Sequence, residues 1–441
     1  MNEVVSIERM GYGSEAIAHL KDGKAVFVEG GCPGDVVEIQ LTEEKSSFAR
    51  ARVESIVEPS LLRVDPPVCS ASCGGCPWSH LSYAAQLDAK RNHVVSALTR
   101  NARFDAERAE SLVAECVPSK REWGYRNKIE MGVGADAAGR FTLGFRSEGS
   151  HAFSQPDSCP VAHRLMEKSP KALRGALRYL QGNEDLGIFR VGVRGSLRTK
   201  DVEIALWTKP GAFPRAAVAK TLQSALKCTS IVRVMADPGK ARVVKKVETL
   251  YGKGCWAEKF IEPEVNFLTS APSFFQVNTA QAEKLVDIVL SGLNVGEGDL
   301  VADLYAGGGT FSVPLALAGA DVIAVESAGS SVRDLNRNAQ MNNVDIEVIG
   351  GDAGLELPDL GELDALVVDP PRAGLAKGVV ESIERAKPGR VAYVSCDPQT
   401  WARDVARFES CGYRLEKATP VDLFPQTYHV ETASIFVRSK R

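Results

Sequence analysis

From residue 282 to the C terminus the chain alternates short apolar runs with helical stretches, and this alternation constrains the fold more than any other feature. Runs at Leu300–Leu304, Val322–Val325, Ala365–Val368, Val391–Val394 and Ala433–Val437 read as buried strands. Strands separated by helices need crossover connections, so the pattern predicts an α/β fold with a doubly wound sheet. The chain has 441 residues, 44% apolar and 25% charged. That composition supplies sizeable cores and rules out a disordered or disulfide-stapled chain. No apolar run approaches the roughly 18 residues of a membrane span. Glu3, Glu8, Arg9 and Glu15 leave no apolar signal region at the start. A cytoplasmic protein is expected. Ten cysteines in a reducing compartment serve chemistry or metal rather than bridges.

Residues 1–58 read as a small β barrel of the OB type. Alternating runs at Val4–Ile7, Ala25–Val28, Val36–Leu41 and Ala51–Ile56 are separated by glycine turns. Pro59 and Asp65-Pro66-Pro67 mark its exit. Residues 59–262 are predicted as a central α+β domain: a cysteine-rich knot at 69–80, a helix with apolar residues from Leu81 to Leu98, then strand-like runs (Ile129–Val133, Val191–Val193, Val202–Leu206, Ile231–Val234) and a helix near Leu173–Leu180. Pro263 and Pro272 bracket an expected linker, and residues 263–441 form the third domain. Lys and Arg number 6 against 11 Asp and Glu in residues 1–60, 32 against 20 in 61–262, and 15 against 25 in 263–441. A strongly basic middle between acidic flanks suggests a polyanionic partner, with a merely solvated basic surface as the alternative.

Val301-Ala302-Asp303-Leu304-Tyr305-Ala306-Gly307-Gly308-Gly309-Thr310-Phe311 runs from strand through a glycine turn into a helix. Such glycines let a cofactor approach the backbone. Glu326 closes the next strand, where a carboxylate binds ribose hydroxyls. The turn lacks the G-x-G-x-x-G of dinucleotide sites, which favours S-adenosylmethionine over NAD. Asp352, after the third strand, is placed either on the adenine amino group or in a surface turn. Asp369 ends the fourth strand in Asp369-Pro370-Pro371-Arg372, over the edge where ligands collect in open sheets.

The fifth strand ends in Ser395-Cys396-Asp397-Pro398, and a helix begins at about Gln399. A thiol at a helix N-terminus has its thiolate favoured by the dipole. A small buried hydrophobe is the alternative for Cys396. His429-Val430-Glu431-Thr432 precedes the last strand. Glu431 serves as a general base if desolvation raises its pKa, or else is an exposed pre-strand residue.

Three segments, Ser395-Cys396-Asp397-Pro398-Gln399-Thr400, Asp369-Pro370-Pro371-Arg372-Ala373-Gly374 and His429-Val430-Glu431-Thr432, resemble motifs of the RNA 5-methyluridine methyltransferases, as does Phe275-Gln276-Val277-Asn278. The resemblance implies Cys396 as nucleophile and Glu431 as base in transfer of a methyl group from S-adenosylmethionine to uracil C5. It implies that Gln276, Tyr305, Glu326 and Asp369 contact the cofactor, with Asp352 matched as well and Thr310 standing where relatives often carry Asn. Two rivals remain: a cytosine-C5 enzyme, whose Pro-Cys nucleophile motif is absent here, and a non-catalytic iron–sulfur RNA-binding factor.

Cys69, Cys73 and Cys76 lie close together, and Cys159 follows after 82 further residues. Three thiols plus a distant one before Pro160 suit an iron–sulfur set, with zinc as the alternative. The family resemblance implies a [4Fe–4S] cluster on these four, with Cys-Gly-Gly-Cys as the shared element. His80 and His163 are read as ordinary polar residues. Trp123-Gly124-Tyr125-Arg126-Asn127-Lys128 combines aromatic and basic groups suited to RNA, or else a core tryptophan with a salt-bridged arginine. The N-terminal module resembles the TRAM domain through Gly11-Tyr12-Gly13 and Pro33-Gly34-Asp35-Val36-Val37. RNA is the expected partner, ribosomal rather than transfer RNA, and a monomer is the expected state.

Overall fold

A computed structural model describes residues 2–439, apart from 65–67, 70, 136–137, 148–151, 183–184 and 242. Two seven-stranded sheets, a six-stranded sheet and a hairpin carry the strands. The exit turn expected at Asp65-Pro66-Pro67 falls outside the described residues.

The C-terminal sheet follows the alternation predicted for it. Its strands are Leu300–Leu304, Asp321–Val325, Glu347–Ile349, Ala365–Val368, Arg390–Ser395, Tyr413–Val421 and Glu431–Arg438. Their spatial order is third, second, first, fourth, fifth, seventh, sixth. The first five run parallel, and the last two pair antiparallel. Helices on both faces explain why Ala365–Val368 is apolar and buried at every position. The order reverses between the first and fourth strands, which opens a crevice at their carboxyl ends. There the Asp369 amide donates to the Leu304 carbonyl at 3.4 Å. The last strand runs the other way, so its first residue, Glu431, reaches the same edge.

The helix Pro398–Ser410 shows how local chemistry sets that edge. The Asp397 carboxylate accepts from the amides of Gln399 (2.9 Å) and Thr400 (3.1 Å), a cap whose loss typically costs about 1 kcal/mol. Pro398 fills the first turn, where no amide is needed. Trp401, Val405 and Phe408 bury one stripe against the sheet, and Gly412, at φ 83°, ends the run.

The central sheet is mainly antiparallel, with helices Ser169–Gln181 and Arg215–Ala225 packed through Leu173, Leu177, Val218 and Leu222. The stretch between Pro263 and Pro272, expected as a linker, is instead structured. Val265–Thr269 pairs with Trp256–Phe260, and Phe267 meets Phe260 and Phe275 edge to face with ring centroids 4.8 and 5.3 Å apart. Apolar alternation there outweighed the two prolines. Helices Tyr83–Arg100 and Ala106–Leu112 pack against the C-terminal core through Val94, Leu98 and Ala109.

The N-terminal strands form the six-stranded sheet, with Ala25–Glu29 parallel to Phe48–Glu58. Trp78 enters its core from outside, and its indole N–H donates to the Gly13 carbonyl at 3.0 Å. The same tryptophan's amide donates to the Gln426 carbonyl at 3.0 Å, and Gln86 and Gln426 exchange bonds of 2.8 and 3.0 Å. The fully buried Lys90–Asp422 ion pair lies alongside. Removing one partner of such a pair costs about 3–5 kcal/mol, because the other charge is stranded. The barrel is thereby pinned to the loop 422–429 that precedes Glu431.

Candidate active site

The first strand leaves the sheet through a backbone few side chains tolerate. Tyr305 takes φ 64°, Gly307 57° and Gly309 90°. The Gly307 amide donates to Glu326 Oε2 at 2.9 Å, so the second-strand carboxylate is tied to the glycine turn. A Cβ placed on Gly307 would meet only open space. Asn338 donates to the Gly308 carbonyl at 2.9 Å from the other side. Thr310 is half-buried at the start of the following helix. Asp352 caps a short helix by accepting from the Gly354 amide at 2.9 Å. Burial, and then the charges of Asp352 and Asp404, push the Tyr305 phenol up.

Asp303, beneath this turn, was absent from the sequence-based set. It is fully buried, with Oδ2 accepting from the Ser312 hydroxyl at 2.5 Å and Oδ1 left without a partner. Burial pushes its pKa up to about 7. An orphaned carboxylate oxygen below an open glycine turn is suited to a cationic or N–H-bearing ligand. The residues present therefore fit the expected nucleoside sulfonium.

Cys396 and Glu431 face one another by register. Ser395 pairs with Thr432 in the antiparallel ladder, so the next step outward sets Cys396 opposite Glu431. Glu431 is 4% exposed, which removes the exposed alternative. Burial, and then the charge of Asp369, raise its carboxyl well above the ordinary value, against the pull of Arg372. The Cys396 thiol is half-buried and pushed up to about 12 by burial, then by Glu431. Arg372 opposes this through its charge and a hydrogen bond. Asp369 is pushed up to about 7 by burial, then by Asp303. Gln276, nearly buried, donates to Asp369 at 3.5 Å. One edge thus gathers a thiol, a cation and two carboxyl groups that favour the protonated state. The helix N-terminus was expected to favour the thiolate, but burial outweighs it and holds Cys396 as the thiol; the raised carboxyl of Glu431 suits a group that takes up a proton.

Arg372 and Phe274 were also missed as site residues. Arg372 lies 3.4 Å from the His429 ring. Phe274 is 62% exposed beside buried Phe275, and an apolar ring in water next to Gln276 was the available signal.

The RNA motif divides. Tyr125 is buried and its hydroxyl donates to the Pro425 carbonyl at 3.1 Å. Asn127 is buried and donates to the Gln276 carbonyl and Thr279 Oγ1, each at 2.9 Å. Asn127 thus holds Gln276 in place and Tyr125 holds the loop at Pro425, instead of facing RNA. Arg126 and Lys128 line a cavity of about 260 Å³, whose wall also carries Cys69, Cys73, Cys76 and Cys159. Burial, then the charges of the other three cysteines, push the Cys76 thiol up to about 12. Burial likewise raises Cys73 and Cys159. Among the described residues no three His, Cys, Asp or Glu side chains are grouped to hold a metal ion. His80 and His163 bond the carbonyls of Gly31 and Gly195. No helix among the described residues is long and apolar enough to cross a membrane.

The tRNA (uracil-5-)-methyltransferase family profile matches residues 82–350 and 352–439, and the TRAM domain profile matches 4–53. An RNA methyltransferase of Gloeobacter violaceus is 34% identical over 99% of this chain and 96% of its own. One of Thermotoga maritima is 33% identical over 100% of both. The crystal structure of Pyrococcus abyssi tRNA (uracil-54, C5)-methyltransferase with S-adenosyl-L-homocysteine superposes with a TM-score of 0.74 and 28% identity, covering 98% of this chain and 99% of that one.

Proposed function

Because the chain belongs to the tRNA (uracil-5-)-methyltransferase family and carries a TRAM domain, we propose that it methylates C5 of a uridine in RNA, with Cys396 as nucleophile and Glu431 as base. The observation that supports this reading is the last rung of the ladder, Ser395 with Thr432, whose flanking residues Cys396 and Glu431 come to the sheet edge where Gln276 meets Asp369. On this reading residues 1–58 are the barrel, 59–262 the central RNA-binding part and 263–441 the methyltransferase domain.

Uracil C5 is a weak nucleophile. Addition of the Cys396 thiolate to C6 pushes electron density through the ring to C5 and O4, which splits one hard step into easier ones. The Arg372 charge, which lowers the Cys396 pKa against burial, favours the thiolate. Gln276, Tyr305, Thr310, Glu326, Asp352 and Asp369 would hold S-adenosylmethionine, which when bound would give its methyl group to C5 as the sulfonium S–CH3 bond breaks and S-adenosylhomocysteine leaves. Glu431 then takes the proton from C5. The electron pair left behind forms the C5–C6 double bond and expels Cys396. Asp369, favouring its protonated form, donates toward the uracil edge as charge develops. Phe274 offers an exposed face for the base once it is turned out of its stack.

The test is incorporation of labelled methyl into RNA, with 5-methyluridine mapped in ribosomal and transfer RNA from cells lacking the gene. Ribosomal RNA is the substrate we infer from the barrel together with the cysteine set. Label found only in transfer RNA reverses that choice and leaves the chemistry standing, whereas no label in either rejects the enzyme.

A [4Fe–4S] cluster is proposed for Cys69, Cys73, Cys76 and Cys159. Each thiol of such a cluster binds a different iron, so four thiols around one cavity suit it without converging on a single point. There it ties residues 69–76 to the segment around Cys159. Anaerobic purification with iron and sulfide analysis tests this, and an iron-free folded protein refutes it.

A further inference from the structure

Tyr12 projects from the N-terminal barrel at the tip of a turn closed by the Gly11 amide donating to the Glu15 carbonyl at 2.9 Å. Trp78 holds the turn from below through the Gly13 carbonyl. The Tyr12 ring stands edge-on to His93 (5.4 Å) and Tyr428 (5.7 Å). Tyr428 lies 4.2 Å from His429, and His429 meets Arg372 at 3.4 Å. A row of rings therefore runs from the barrel to the Arg372 guanidinium, whose charge acts on Cys396. Tyr12, Tyr428 and His429 all remain half-exposed.

Burial, then the charges of Asp397 and Cys396, push the Tyr12 phenol up, with Arg372 opposing. Asp397 spends its carboxylate on the helix cap, which leaves Arg372 as the cation facing outward.

Resting on that reading, we propose that Tyr12, with Tyr428 and His429, forms a stacking wall for the RNA nucleotide adjoining the target uridine, so that the N-terminal barrel completes the active site instead of only tethering RNA. A uridine can leave its stack only if its neighbour loses a stacking partner, and an aromatic face replaces that partner for any base. Arg372 beside the wall favours the phosphate that joins the two nucleotides.

The experiment compares Tyr12→Leu, Tyr12→Phe and Tyr12→Trp with the wild type in the full chain. The RNA probe is one methylated by the wild type, carrying 2-aminopurine on either side of the methylated uridine. Stacking on aromatic side chains is worth enough to raise the RNA KM of Tyr12→Leu about tenfold to a hundredfold. The kcat at saturating RNA and the affinity for S-adenosylmethionine stay near wild type. Quenching of one 2-aminopurine is lost in Tyr12→Leu and kept in Tyr12→Phe and Tyr12→Trp. Leucine preserves the apolar bulk of the turn, so a purely structural role predicts an unchanged KM and overturns the inference. So does a KM defect that neither aromatic variant rescues. If the wild type labels no RNA at all, the proposed function fails and this inference with it. A wild type that labels RNA beside a Tyr12→Leu variant of equal KM and quenching refutes only the inference.

Discussion

Burial raises Cys396 and, in the central cavity, Cys73, Cys76 and Cys159, and what differs is the company each keeps. Burial pushes both Cys396 and Cys76 up to about 12. Around Cys396 the next influences are a proton acceptor, Glu431, and a cation, Arg372. Around Cys76 they are the other three thiols. A lone thiol with a cation and a base suits transient covalent chemistry. Thiols that repel one another as thiolates need a permanent positive centre to share. Residue type alone does not separate the two, but neighbours do.

The comparison breaks most sharply at Cys396. Cys396→Ala is expected to reduce methyl incorporation to background while RNA binding, read by filter retention, persists. Methylation at wild-type rate in that variant would falsify the covalent reading. Next comes Glu431→Gln, expected to slow turnover by about 10²- to 10⁴-fold. The RNA–protein adduct should then build up as a slow band on a denaturing gel, because addition proceeds without proton removal. An equally slow variant with no adduct would move Glu431 out of the base role.

A pH profile sharpens the contrast further. With the Cys396 thiol near 12, only a small fraction is thiolate at neutral pH. That fraction grows about tenfold per unit as pH rises. Glu431, also raised, gains its basic form in the same direction. Single-turnover rates should climb roughly a hundredfold between pH 6 and 8, and a maximum below pH 7 contradicts this assignment. The smallest effect on activity is expected in the cavity. Cys76→Ser or Cys159→Ser should empty the protein of iron and lower its melting temperature, yet keep methyl transfer within about tenfold. An equal loss of catalysis in these variants, with folding intact, would mean that the two cysteine sites are not separate in role.

Much of the catalytic edge was legible because it sits where strands end. The alternation of apolar runs gave the sheet, and ligands gather at carboxyl ends whatever the sequence between them. Cys396, Asp369 and Glu326 each close a strand, so their shared edge follows from chain direction alone. The hairpin at 256–269 was hidden behind Pro263 and Pro272, since proline marks local punctuation and not the pairing of neighbours. Tyr125 and Asn127 looked like RNA contacts because aromatic and amide side chains serve either purpose. Only their burial, and the bonds to Pro425 and Gln276, decide between the two.

By itself the sequence determined the order of strands and helices, the cap and stripe of the helix after Cys396, and the set of chemical groups available. These depend on residues within a few positions of one another. Only the tertiary structure decided that Glu431 and Cys396 come to one sheet edge, that Asp303 keeps an oxygen unpaired, and that Tyr12 from the first strands meets the Tyr428 ring. Those outcomes rest on ladder register, desolvation and domain docking, which arise from packing between segments far apart in the chain.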